Sequence, residues 1–198
     1  MKLLLIPRPE SGCACRGFLT FVLLAALSAC SSSQIRVHTL VPPPLASEND
    51  SSPDAIAVER VSVPPQLNRT ELILRKGDSQ LLVLESDWWG APLPEEIRSA
   101  LATRLEQTTG SEYRTRVWVS VTRFDAIPGQ SVWLDADYRL AGNPDLATSA
   151  LQCSIRRRSE SGNTLDSIVL AHQLNIEALA EDIIMAVRNL NAGNPGCP

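Results

Sequence analysis

Hydrophobic and polar residues alternate most regularly in the middle of the chain, in two runs separated by a turn at Pro128-Gly129. The first run, from Arg114 to Phe124, has valines on one face and Trp118, Ser120, Thr122 and Phe124 on the other. The second run has an apolar face of Val132, Leu134, Ala136, Tyr138 and Leu140 and an opposite face of Trp133, Asp135, Asp137 and Arg139. A period of two is the pattern of strands with one buried face. We therefore predict two neighbouring antiparallel strands.

Shorter apolar runs predict further strands on both sides of this pair. They are Ala55 to Val63, Leu72 to Arg75, Leu81 to Glu85, Leu151 to Ile155 and Ile168 to Leu170. The second and third of these flank Gly77 and Asp78, which tolerate the backbone angles of a tight turn, so they are predicted to form a hairpin.

Two segments have the spacing of amphipathic helices. The first begins near Leu93, with Glu95 and Glu96 at the positive end of the helix dipole. The second is predicted to begin at an Asn175 cap and to carry an apolar stripe of Ile176, Leu179, Ala180, Ile183, Ile184, Val187 and Leu190. Because the helices and a largely antiparallel sheet must cover each other, the predicted fold is a two-layer α+β domain.

The N-terminus has the layout of a secretory signal, with a basic leader, a twelve-residue apolar stretch from Phe18 to Ala29 and small residues before a cysteine. The run Leu27-Ser28-Ala29-Cys30 looks like a bacterial lipobox, in which the thiol receives a diacylglycerol and the leader is cut before the cysteine. The alternative is a membrane-spanning anchor, but twelve residues fall short of the ~20 that a spanning helix needs. We expect residues 1–29 to be a signal peptide and Cys30 to carry covalent lipid.

The expected acyl chains on Cys30 would hold the N-terminus of the mature chain at the membrane. One myristoyl chain holds a protein only marginally, whereas several chains at roughly 0.8 kcal/mol per buried methylene make release negligible. Residues 30–35 are therefore expected to form a lipidated tether, and residues 36–198 a single periplasmic α+β domain.

The charge of the mature chain narrows the choice of partners. From Cys30 onward the chain has 15 basic and 21 acidic side chains, a formal charge of −6. This balance argues against nucleic acid as a partner and against broad adhesion to anionic head groups. We expect the acyl chains, rather than a basic face, to make the membrane contact.

Cys153 and Cys197 are the other cysteines of the mature chain, and an exported protein matures where disulfides persist. One interpretation is a bridge between them. The other is two separate thiols, with Cys153 a small apolar core residue on a strand and Cys197 at a frayed end.

Few residues have a pattern that indicates catalysis or metal binding, and we expect no enzyme, no metal and no cofactor besides the lipid on Cys30. His38 and His172 lie near no motif and are expected to be solvated or at the edge of the core. Asp135 and Asp137 share a strand face and could cooperate as acid and base, but a solvated sheet face is the simpler interpretation. No nucleophile elbow, phosphate-binding glycine loop or zinc motif occurs in the sequence.

Trp88 and Trp89 are the candidate partner-binding residues. They are predicted to lie in a loop beside Gly90, where two indoles are difficult to bury together, and tryptophan is enriched where proteins dock. The alternative is that one ring covers the core under the first helix. If docking is correct, Trp89→Ala weakens partner binding more than it lowers the melting temperature.

Several of these features resemble the PqiC-like family of ABC-type transport auxiliary lipoproteins. The resemblance depends on the lipobox at Cys30, a short strand at Val37 to Leu40, a tryptophan before the first helix, the final helix through Leu190, and the run Val61-Ser62-Val63-Pro64-Pro65-Gln66-Leu67-Asn68-Arg69. It spans nearly the whole mature chain. Asn68 stands where the family has aspartate, and Gln66 where an aromatic residue is frequent.

The resemblance implies a non-enzymatic docking component of a system that moves lipids between membranes. Its lipid would anchor it in the outer membrane, facing the periplasm, and the implied partners are a periplasm-spanning MCE-domain protein and an inner-membrane permease. Ser31 fits this location, because an aspartate after the anchor commonly signals retention in the inner membrane. A homo-oligomer is also compatible with the sequence.

Two other functions are compatible with a small tethered domain. A lipoprotein that activates cell-wall synthesis or assists envelope assembly could use a similar α+β fold, and neighbouring genes would separate it from a transport component. An envelope hydrolase would need a nucleophile and a base that no motif of the sequence indicates.

Overall fold

The structure, a computed structural model, describes residues 34–43, 56–105, 115–142 and 150–198. The predicted signal peptide and Cys30 lie outside the described residues. The strands are β1 (Arg36–His38), β2 (Ala57–Ser62), β3 (Glu71–Lys76), β4 (Gln80–Trp89), β5 (Arg116–Ile127), β6 (Ser131–Ala141) and β7 (Ala150–Glu160). The helices are α1 (Leu93–Leu105) and α2 (Leu165–Asn191), and a short 3-10 helix covers Pro65–Leu67.

The predicted α+β class is confirmed, but the strands form two mixed sheets instead of one. The first has the order β1-β4-β3 and the second the order β2-β5-β6-β7. β1 runs parallel to β4, β2 runs parallel to β5, and the remaining pairs are antiparallel. Both parallel pairs join strands that are distant in the chain, and alternation within one strand carries no signal for such pairing.

The apolar faces predicted for the central strands and the last helix are confirmed. Every apolar residue named for β6 is buried, as are Val117, Val119 and Val121 of β5. The stripe of α2 packs with them in one core, with Ile184 half-buried at its edge. Each such aliphatic side chain contributes about 1.5–3 kcal/mol when fully buried. Both helices therefore lie on the same side of the four-stranded sheet, and neither of them covers its other face, which we call open with respect to the described residues.

Phe124 lies in the core, which differs from the prediction that it shares a face with Trp118. Val121 pairs with Ala136 and Arg123 with Asp135, so Thr122 is an extra residue in β5. A bulge of one residue moves every later side chain to the opposite face. Phe124 is consequently 6% exposed, and β5 continues to Ile127 before the turn at Gly129, whose φ is +70°.

The start of α2 also differs from the prediction. Thr164 caps this helix by accepting a hydrogen bond from the Ser167 amide at 3.2 Å, so Ile168 to Leu170 are helical and form no strand. Asn175 is not a cap but a buried residue within the helix, and its Oδ1 accepts a hydrogen bond from Ser159 Oγ at 2.7 Å. The β-branched pair Ile168-Val169 imitates a strand because its members bury one helical face.

His172 lies inside the core, so the expectation of a solvated or core-edge histidine is wrong for this residue. Its ring stacks on Phe124 with centroids 3.9 Å apart, and Nδ1 has no hydrogen-bond partner among the residues that the structure describes. Burial lowers the pKa of the His172 imidazole to about 3, although Asp125 acts in the opposite direction. The residue is therefore a neutral member of the core at physiological pH.

The neutral state of His172 predicts a pH dependence of stability. Because its pKa is lower in the folded chain than the ordinary value of about 6.5, its contribution is complete above pH 6.5 and is lost as the pH falls toward 3. We expect the free energy of unfolding to fall by up to about 1.4 kcal/mol per pH unit in this window. Urea unfolding at several pH values measures the slope. His172→Phe should flatten it between pH 6.5 and 5, and an unchanged slope would show that another group is responsible.

Candidate docking surface

Trp88 and Trp89 lie on β4 and not in a loop, so the two indoles point to opposite faces of the sheet. Trp89 is 6% exposed and meets Phe124 and His172 edge to face, with ring centroids 6.3 and 6.4 Å apart. The interpretation of Trp89 as a docking residue is therefore wrong, and the alternative of a core residue holds. Trp88 is half-buried and donates from Nε1 to the Glu85 carbonyl at 3.1 Å. Partner binding by Trp88 stays a prediction.

A buried carboxylate beside these tryptophans attaches β1 to the rest of the domain. Asp87 accepts hydrogen bonds from Arg36 Nε at 2.7 Å and from Arg36 Nη2 at 2.8 Å, and His38 Nε2 lies 3.0 Å from Asp87 Oδ1. The bidentate bond from Arg36 holds the pKa of the Asp87 carboxyl below its usual value, against the effect of burial. This cluster is structural, and its members are too far apart in sequence for local patterns to group them.

The open face of the four-stranded sheet carries many charged side chains. We call it the Arg–Trp face, and it consists of Arg60, Arg116, Trp118, Arg123, Trp133, Asp135, Asp137, Arg139, Arg156 and Arg158. These residues alternate with the buried positions of β2, β5, β6 and β7, which is why they all point away from the helices. At these positions six arginines face two aspartates, and Asp125 and Glu160 add two carboxylates on the same side of the sheet.

Each tryptophan of the Arg–Trp face lies between two guanidinium groups. The guanidinium carbons of Arg139 and Arg116 lie 4.3 and 5.4 Å from the centroid of the Trp118 ring system. Those of Arg123 and Arg158 lie 4.2 and 5.3 Å from Trp133. Cation–π contacts at such distances contribute about 0.5–1 kcal/mol at exposed sites. They also restrict the rotamers of long side chains, so the cations are held in place before any partner arrives.

Most of these cations have no carboxylate partner within the part of the chain that the structure describes. Arg123 pairs with Asp125 at 2.7 Å, but no ion pair within 4.0 Å is formed there by Arg60, Arg116, Arg139, Arg156 or Arg158. Burial favours the neutral form of Asp125, yet hydrogen bonds from Arg75 and Arg123 outweigh it and lower the pKa of this carboxyl. The face therefore keeps a surplus of uncompensated positive charge.

Asp135 and Asp137 lie in the middle of this face and share one side of β6, as their spacing in the sequence predicts. Asp137 Oδ1 accepts a hydrogen bond from Ser154 Oγ at 2.6 Å, and Asp135 lies opposite Arg156 on β7. In register, Asp135 lies between Arg123 of β5 and Arg156 of β7, and Arg139 is two positions beyond Asp137 on β6. This environment suits a charged recognition surface better than acid–base catalysis.

A shallow depression lies at one end of the Arg–Trp face. Its volume is about 240 Å³, and its lining includes the cations of Arg60 and Arg139, the carboxylate of Asp137, and Trp118. Guanidinium groups donate in a planar fork that fits carboxylate and phosphate oxygens. The depression can therefore accept an anionic group against a flat aromatic surface.

Sequence reasoning recognised the alternation that creates this face but interpreted its outward residues as solvated. The available signal was the repeated occurrence of tryptophan and arginine at outward positions of neighbouring strands. Register decides which of them meet, and register follows from the Thr122 bulge, which no local pattern shows. The sequence alone therefore did not assemble the face.

Two further observations concern metal ligands and helix length. Within residues 34–43, 56–105, 115–142 and 150–198, no group of three potential metal ligands comes together. Neither helix of these segments is long and apolar enough to cross a membrane.

Comparison with known proteins shows which family the chain belongs to. Residues 38–184 match the model of the ABC-type transport auxiliary lipoprotein component family. The chain belongs to this family. The resemblance inferred from the lipobox and the order of elements is confirmed at this level.

Solved structures share the fold of this auxiliary lipoprotein component. A crystal structure of an uncharacterized protein is 18% identical, covers 78% of this chain and 99% of its own, and has a TM-score of 0.61. The crystal structure of protein XCC0632 from Xanthomonas campestris is 13% identical, covers 79% of this chain and 99% of its own, and has a TM-score of 0.53. No curated protein matches the chain. At these identities the similarity establishes the fold alone.

Proposed function

We propose that this protein is a non-enzymatic docking component that fixes an ABC-type lipid transport system to the outer membrane. The observation that carries the proposal is the family match over residues 38–184, which makes the chain an auxiliary lipoprotein component of ABC-type transport. The lipobox at Cys30 supports the anchor, and Ser31 supports sorting to the outer membrane. The proposed partners are a periplasm-spanning MCE-domain protein and an inner-membrane permease.

The geometry of the domain suits a receptor that holds another protein. The covered side of the four-stranded sheet contains the core, while the open side presents pre-positioned arginines and half-buried tryptophans. Arginine and tryptophan are the residue types most enriched at the energetic centres of protein interfaces. A tethered domain with such a face can bind the end of a periplasmic assembly and keep it at the membrane.

Co-isolation of the transport assembly tests this function. Full-length protein with a C-terminal tag is purified from membranes in a non-ionic detergent, and bound proteins are quantified by mass spectrometry. We expect an MCE-domain protein and its permease to be enriched, relative to a tagged outer-membrane lipoprotein of another family. Enrichment of a cell-wall synthase without either transport protein would contradict the proposal and favour the envelope-assembly alternative.

A further inference from the structure

We infer that the Arg–Trp face binds an acidic, extended segment of a partner protein. The inference rests on the proposed function, because it names the chemistry by which the docking component recognises its partner. The charge of this face contrasts with the net charge of the mature chain. The mature chain has a formal charge of −6, yet this side of the sheet has six arginines against four carboxylates, those of Asp125, Asp135, Asp137 and Glu160. Concentrated positive charge on an acidic protein favours an anionic partner and orients its approach.

The arrangement of the cations matches a polyanion rather than a single charged group. Arg60, Trp118, Arg139 and Gln152 lie in one row across all four strands. Arg123, Asp135 and Arg156 form a second row across three strands. With strands about 4.8 Å apart, the first row spans roughly 14 Å, and the outward positions of β6 from Trp133 to Arg139 span roughly 20 Å.

This area fits about six residues of extended chain, since an extended residue advances about 3.3 Å. Carboxylates at alternate positions of such a segment would be about 6.8 Å apart, which is also the spacing of outward residues along a strand. The segment would lie across the open face, with its carboxylates between the arginines and its apolar atoms on the two indoles.

The shape of the face favours a protein over a lipid. Its depression of about 240 Å³ is shallow and open to the surface, so it does not enclose an acyl chain. The guanidinium groups stacked on Trp118 and Trp133 instead provide separated charges with flat apolar surface between them. That combination is typical of protein interface centres, where arginine and aromatic residues are enriched.

A peptide titration tests the inference directly. The full-length protein in non-ionic detergent is titrated with a decapeptide of alternating glutamate and serine, and tryptophan emission reports binding because Trp118 and Trp133 are half-exposed. We expect binding that weakens as salt is added, and no binding of the matching glutamine–serine peptide. Vesicles containing phosphatidylglycerol are the lipid arm. Binding of the vesicles through these arginines without peptide binding would overturn the inference in favour of a head-group site.

Two double Arg→Glu variants with the same net charge show whether the peptide binds at this face. Arg139→Glu with Arg158→Glu removes one cation beside each indole and should weaken peptide binding at least about tenfold. The control is Arg157→Glu with Arg98→Glu, which makes the same change in net charge. Arg157 lies opposite Leu134 and therefore points away from the face, and Arg98 lies on α1. The control should stay within about twofold of the unmodified protein, and equal loss in both variants would overturn the inference.

A second variant distinguishes the effect of the arginine charges from the effect of the cation–π contacts with tryptophan. Arg60→Glu with Arg156→Glu alters exposed cations that are not among the four arginines in cation–π contact with the indoles, so it should lose peptide binding while urea unfolding stays unchanged. The same variants are then compared in the co-isolation of the transport assembly. If the unmodified protein recovers no transport proteins, the proposed function fails. If it recovers them and the face variants recover them equally, the function holds and the inference fails.

Discussion

Replacing Trp89 by alanine is expected to destabilise the domain by about 3–5 kcal/mol, the usual cost of removing a large aromatic ring from a core. The indole is 6% exposed and packs edge to face against Phe124 and His172. Its loss would leave a cavity between β4, β5 and α2 that these neighbours cannot fill without leaving their own stacked arrangement. Urea unfolding of the two proteins at pH 7 measures the difference.

The adjacent tryptophan provides the control for this experiment. Trp88→Ala should cost about 1 kcal/mol or less, because its ring is half-buried and its one hydrogen bond is to the neighbouring Glu85 carbonyl. A loss of stability in Trp88→Ala equal to that in Trp89→Ala would contradict the placement of Trp89 alone in the core.

Removing the disulfide between Cys153 and Cys197 is expected to have the second large effect. The structure joins these residues, which are 44 positions apart, and attaches the end of the chain to β7. In the chain-entropy model a bridge of this separation contributes on the order of 4 kcal/mol by restricting the unfolded chain. Cys197→Ser is the appropriate variant, since Cys197 is exposed and Cys153 is buried. Its melting temperature should fall clearly below that of the unmodified protein.

Melting in the presence of a reductant distinguishes the effect of losing the disulfide from the effect of the serine substitution itself. The melting temperature of the unmodified protein should fall on reduction, and that of Cys197→Ser should not change. If reduction lowers neither, the two cysteines do not form a stabilising bridge in solution.

The sequence was sufficient for those parts of the fold that depend on local periodicity. The alternation of valines in β5, the apolar face of β6 and the stripe of α2 predicted buried surfaces that the structure confirms. It was insufficient where one residue changes a face or where partners are distant. The Thr122 bulge turned Phe124 inward, and the parallel pairing of β1 with β4 divided the predicted sheet into two.

The candidate docking surface was even harder to predict from local sequence patterns. The sequence pointed to Trp88 and Trp89 because paired tryptophans appeared difficult to bury, but alternation along β4 buries one of them and leaves the other half-exposed. Trp118 and Trp133 are separated by fifteen positions in sequence and become one surface only through the antiparallel register of β5, β6 and β7. A surface built across strands depends on register, and one sequence gives register only where turns and bulges are recognised.

We propose that a lipid on Cys30 holds this domain at the outer membrane, where it docks its partner. Mass spectrometry of the N-terminal peptide from fractionated cells tests it most directly. We expect a mature chain that begins at Cys30, carries a diacylglycerol on the sulfur and an acyl group on the amine, and is recovered in the outer-membrane fraction. A free thiol at Cys30 in protein recovered from the periplasmic fraction would contradict it.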